Sequence, residues 1–104
     1  MYLVHAHFEL VPPHEVPGVL RELARSSLLP SDRVEHLSVH PRSPHAFTLG
    51  FYSTAGSLAE AESGATAVCR RLLAEARWLP PARLTRVGVP LIAPALLGDW
   101  PSRL

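Results

Sequence analysis

The first ten residues constrain the fold most, because they alternate too strictly for anything but an extended strand. Tyr2, Val4, Ala6, Phe8 and Leu10 point one way, and Leu3, His5, His7 and Glu9 point the other. A period of two with one apolar side is the mark of a strand whose sheet is covered on one face. The covering layer must come from elsewhere in the chain.

Val11-Pro12-Pro13 ends this strand. Pro17 then suits the first turn of a helix, where a missing N–H costs little. Val16, Val19, Leu20 and Leu23 recur at helical spacing until Ser26-Ser27 and Pro30 stop them. A second strand is expected over Arg33 to His40, with Leu37, Val39 and Glu35 on one face and Val34, His36, Ser38 and His40 on the other. Pro41-Arg42-Ser43-Pro44 reads as a turn. A third strand follows over His45 to Ser53, and the pair reads as an antiparallel hairpin. Phe47, Leu49 and Phe51 share one side of the third strand, and Ala46, Thr48, Gly50 and Tyr52 the other.

Thr54 or Ser57 can cap a second helix. Its buried stripe would be Leu58, Ala61, Ala65, Val68, Leu72 and Ala76. Gly64 inside it marks close packing or plain tolerance. After Pro80-Pro81 a fourth strand is expected over Leu84 to Ile92, with Val87, Val89 and Leu91 inward and Arg86 and Gly88 outward. Pro90 lacks an N–H for the ladder, so this strand belongs at a sheet edge. The sequence thus predicts one α+β domain over residues 1–92. A Pro-containing tail over 93–104, with Leu96, Leu97 and Trp100, is apolar enough to dock.

Composition removes several classes of function. The net charge is +1 and the ten basic residues, all Arg, are scattered. No basic stripe exists to attract nucleic acid or an anionic membrane. The start of the chain has no charged segment ahead of an apolar one, so no signal peptide is read there. No apolar run nears the roughly 20 residues of a spanning helix. A cytoplasmic protein is expected. Cys69 is the one cysteine, which forbids an internal disulfide and fits a core thiol. The absence of Lys, Asn and Gln points to a GC-rich bacterial genome of the actinobacterial kind. Charged residues are only 18% of the chain, a hint that part of the surface is covered by a partner.

The order β-α-β-β-α-β, with right-handed crossovers, puts both helices on one face of a four-stranded antiparallel sheet. Over residues 2 to 92 this resembles the ferredoxin-like fold and, by extension, the dimeric α+β barrel superfamily. The resemblance is one of pattern and carries no family motif. It implies the strand order 4-1-3-2. It also implies a homodimer whose open sheet faces close on each other, as in small monooxygenases, polyketide cyclases and decarboxylases, several of which need no cofactor.

The open face is where chemistry is expected. It would carry Leu3, His5, His7, Glu9, Val34, His36, Ser38, His40, Ala46, Thr48, Tyr52 and Arg86. A mixture of His, Tyr, small and aliphatic residues resembles a cavity wall more than a wet surface. Three readings compete. His5 and His7, two apart on a strand, could bind a divalent metal with Glu9 or His36 completing the set. Alternatively His5 or His7 exchanges a proton with an enol or phenol while Arg86 or Tyr52 holds the oxyanion and Glu9 orients an imidazole. The plain alternative is a polar dimer interface. The favoured site has His5, His7 and Arg86 as catalytic contacts, with Glu9, His36, Thr48 and Tyr52 binding the ligand. The function expected is a small-molecule-binding protein or a cofactor-independent tailoring enzyme of bacterial secondary metabolism. Its rival is a non-enzymatic module that docks a larger protein through an edge strand or the Trp100 tail.

Overall fold

The computed structural model describes residues 1–89. Along the chain come β1 (Tyr2–Leu10), α1 (Leu20–Ser26), a 3-10 turn (Pro30–Asp32), β2 (Val34–Ser43), β3 (Ala46–Ser53), α2 (Leu58–Glu75) and β4 (Ala82–Gly88). The expected reach of the fourth strand to Ile92, and the expected docking of the 93–104 tail, lie outside the described residues. Four antiparallel strands and two helices make this an α+β fold. The strand order is β2-β3-β1-β4, which places β1 and β3 in the centre.

The alternation in β1 is an alternation of burial. Val4, Ala6 and Phe8 are fully buried, and Leu10 nearly so. They meet Phe47, Leu49 and Phe51 of β3 and Leu37 and Val39 of β2. Phe8 and Phe47 are cross-strand partners whose rings stack with centroids 4.8 Å apart. Helix α2 lies over β1 and β4, and α1 lies against β2. From α2 the core receives Ala61, Ala65, Val68, Cys69 and Leu72. Small residues at 61 and 65 let the helix approach the aromatic layer. Leu58, expected in this stripe, is 37% exposed at the first turn.

The α2 N-terminus is capped reciprocally. Glu60 N–H donates to Ser57 Oγ, and the Glu60 carboxylate accepts from Gly56 N–H. Two otherwise unpartnered donors are thereby satisfied. Helix α1 is shorter than its apolar spacing suggests. Gly18 and Val19 form a turn before it, closed by Leu20 N–H donating to the Pro17 carbonyl, and Val19 is 56% exposed. Ser26 and Ser27 end it by donating their hydroxyls back to the Leu23 carbonyl.

A polar clamp joins the 3-10 turn to α2. Arg71 donates through both terminal nitrogens to Asp32, at 3.0 and 2.7 Å, and also to the Ser27 carbonyl. That hydrogen-bonded guanidinium, first among several influences, holds the Asp32 carboxyl below the ordinary carboxylate range. Trp78 packs on the core edge and donates its indole N–H to Ser27 Oγ.

Three irregularities correct the strand reading. At β2, Glu35 is the extra residue of a bulge between Val34 and His36. Val34 therefore turns to the core side, not the open face, and the charge that shared a face with Leu37 becomes an exposed surplus residue. Further on, β2 continues through Pro41 to Ser43, where a turn had been expected. Pro41 is tolerated there because β2 is an edge strand. In β4 a register shift falls opposite His7 and Phe8, so that Leu84 pairs with Phe8 while Arg86 pairs with His7. Val87 packs on the core as expected, but β4 ends at Gly88 and Val89 is 44% exposed instead of inward.

A Cβ added at Gly64 meets no atom within 4 Å, so that glycine reflects tolerance and not close packing. Gly64→Ala should stabilise the protein by about 1 kcal/mol through helix propensity alone, read as a raised urea midpoint with an unchanged slope.

Candidate functional site

The open face is built in rows across the sheet. One row runs His40 (β2), Thr48 (β3), His7 (β1), Arg86 (β4); the next runs Ser38, Gly50, His5, Gly88. A third holds His36, Tyr52 and Leu3. The sheet therefore brings together His7, Thr48 and Arg86, with His5 one row away. It sets His36 and Tyr52 at the other end, about 13 Å from Thr48 at the ordinary strand rise. Tyr52 and Arg86 thus cannot hold the same oxyanion. Tyr52 instead packs against His36, with ring centroids 5.2 Å apart.

His7 is the best-held side chain on this face. Thr48 Oγ1 lies 2.8 Å from its Nδ1, and Arg42 Nη1 lies 3.1 Å from the same atom. A guanidinium can only donate. His7 Nδ1 is therefore an acceptor, and the proton of the neutral ring sits on Nε2, the one nitrogen left to meet a ligand. Partial burial, then the charges of Arg42 and Arg86, lower the His7 pKa from its ordinary 6.5. Thr48 is only 3% exposed, although it lies on the open side. Its hydroxyl has exchanged water for the imidazole.

His5 is different. Its ring makes no hydrogen bond to protein among the described residues, so it can accept a proton. Burial, then His40, then His7, lower its pKa as well. Gly50 supplies the floor beneath it. A Cβ at that position would lie 3.4 Å from His5 Cδ2 and would overlap Ser38 Oγ. Ser38 in turn bonds His40 Nε2 at 3.1 Å.

Glu9 does not orient an imidazole. Its carboxylate pairs with Arg83 at 2.9 Å, directly across the β1–β4 ladder. His5 and His7 stand edge to face with centroids 6.2 Å apart. Among the described residues no group of three or more His, Cys, Asp or Glu is placed to hold a metal ion. His45 bonds the His14 carbonyl through Nδ1. Cys69 is a core thiol with its pKa pushed up to about 12 by burial.

Arg42 is the candidate site residue that sequence reasoning missed. The chain around it reads as a turn, yet it extends β2 and reaches His7 across the intervening strand. The signal was the alternation Ser38, His40, which carries past Pro41 on an edge strand. With Glu9, Thr85 and Arg86, the Arg42 and His7 side chains line a cleft of about 230 Å³. No family model, no curated protein and no solved structure matches the chain. No helix among the described residues is long and apolar enough to cross a membrane.

Two outcomes follow. Gly50→Ala should displace the Ser38 hydroxyl and cost about 1 kcal/mol, the usual value of a hydrogen bond. Adding Ser38→Ala should recover part of that loss in a double-mutant cycle. Separately, His5 and His7 bind protons less well folded than unfolded. Their contribution is complete above pH 6.5 and is lost as pH falls through their folded pKa values. Thermal stability should drop from pH 7 to pH 5, and the His5→Gln/His7→Gln double variant should flatten that slope.

Proposed function

We propose that this is a ferredoxin-like domain that binds a small organic molecule on its histidine-bearing open face, between two copies of the chain. Read from the β4 edge, the strand order is 4-1-3-2, the arrangement that fold implies. The observation that carries the functional reading is the division of labour between His5 and His7. Among the described residues His5 has no hydrogen-bond partner for its ring nitrogens, and its pKa is depressed, which suits a base at neutral pH. His7 is fixed by Thr48 and Arg42 so that it offers Nε2–H as a donor. A base and a donor one row apart fit proton exchange on an enol or phenol, run by side chains without an organic cofactor. Alone, the face is a shallow cleft, below the roughly 300 Å³ at which ligand pockets usually begin. A second open face laid on it would supply the missing wall. The setting in secondary metabolism rests on fold analogy and genome type.

A second reading, a module docking a larger protein, has in its favour the edge position of β4, whose outer backbone groups suit an added strand. Native mass spectrometry on untagged protein separates the two. A dimer carrying a small-molecule mass that His5→Ala loses is expected. A bare monomer that keeps binding a protein partner in the His5→Ala/His7→Ala variant would overturn the site reading. Deleting residues 95 to 104 should abolish binding only under the docking reading.

A further inference from the structure

The open face has a polarity along its length that identifies one end of its ligand. At the β4 end, Arg42 arrives from β2 and Arg86 from β4, on either side of the His7 ring. Neither guanidinium is paired with a carboxylate among the described residues, where the ion pairs are Arg71–Asp32 and Arg83–Glu9. Glu9, the one carboxylate lining the cleft, is already held by Arg83. Arg42 uses one donor on His7, and Arg86 donates to no protein side chain among the described residues. Two cations flanking a neutral donor repel each other until an anion joins them. Planar guanidinium forks suit the two coplanar oxygens of a carboxylate. Next to this corner the face carries rings and no further guanidinium, with the His5 ring over Gly50 and His40 beside it, ring centroids 6.1 Å apart.

We propose that the corner formed by Arg42, His7 and Arg86 receives the carboxylate of a flat, unsaturated organic acid whose body lies over His5 and Gly50. This rests on the open-face reading above and narrows it to a class of ligand. The carboxylate would bridge the two guanidiniums and take the His7 Nε2–H. The cleft of about 230 Å³ has room for the carboxylate and the part of the ligand next to it. The unsaturated body is the part that can stack on imidazole rings.

The test is a titration of the full chain at pH 7.5 and low salt, followed by the histidine ring signals in NMR. The probes are benzoate, acetate, inorganic phosphate and benzyl alcohol. Benzoate should saturate and shift both His7 and His5, while acetate should shift His7 alone and bind at least tenfold more weakly. Arg42→Gln and Arg86→Gln should each weaken benzoate at least tenfold, Arg42→Lys less, and His14→Ala not at all. Both arginines are exposed, so these variants should fold normally. Benzoate binding unchanged in both Gln variants, phosphate binding as tightly as benzoate, or no saturation by benzoate would each overturn the proposal. Benzyl alcohol shifting His5 and His7 as strongly as benzoate would also overturn it, while leaving the open-face site standing. Failure of that site itself would show in the mass measurement as a bare chain.

Discussion

Everything in this domain hangs on the central position of β1. It is hydrogen-bonded to β3 on one side and β4 on the other, so its register fixes both neighbours. Its inward Val4, Ala6 and Phe8 are completely buried, and its outward residues include the imidazoles of His5 and His7. A slip by one residue would exchange the two sets. That would bury His5 and His7 without partners and expose Val4, Ala6 and Phe8. The free-energy cost of doing both at once is what holds the histidine-bearing face in place. Core and site are therefore two sides of one constraint.

Around His5 and His7 the open face is ordered by hydrogen bonds and shape and not by ion pairs. Thr48 is buried on the solvent side because His7 covers it and takes its hydrogen bond. Arg42 arrives on the same nitrogen and removes the ring's freedom to choose a tautomer. His5 needs no such partner, because the missing side chain at Gly50 gives its ring a place to lie. One ring is held by polar contacts and the other by shape, which explains why the two histidines differ chemically although the sequence presents them alike.

The sequence made legible whatever depends on a simple period. The alternation of β1 and β3 marked the core face correctly, as did Leu37 and Val39 and the Ala61–Leu72 stripe, and of the two caps offered, Thr54 and Ser57, the helix uses Ser57. His5, His7, Thr48 and Arg86 were placed on one face and are on it. What stayed hidden was set by cross-strand partners. A bulge inserts a residue that no local pattern announces, because its position depends on what the neighbouring strand must bury. That is why Val34 was put on the wrong side and why Glu35 seemed to sit with Leu37. The role expected of Glu9 failed for a related reason: Arg83, distant in sequence, stands directly opposite and takes the carboxylate. Arg42 reads as a turn for another reason, because Pro41 and Pro44 frame it. Helix α1 was overextended because Val16 and Val19 fit helical spacing while Gly18 and the turn at Pro17 delay the first hydrogen-bonded residue.

The irregularity in β4 matters for how such a chain can vary. Leu84 and Val87 both serve the core, yet they are three residues apart, which no regular strand allows. The exposed Thr85 absorbs the difference, its hydroxyl donating to the His7 carbonyl, and Arg86 emerges on the opposite face. A chain shortened by that one residue would return to ordinary alternation with Arg86 still outward. At the regular positions of the sheet, by contrast, losing a residue would turn the rest of a strand over. Here, alone among the strand positions of β4, a change in length is compatible with keeping both faces.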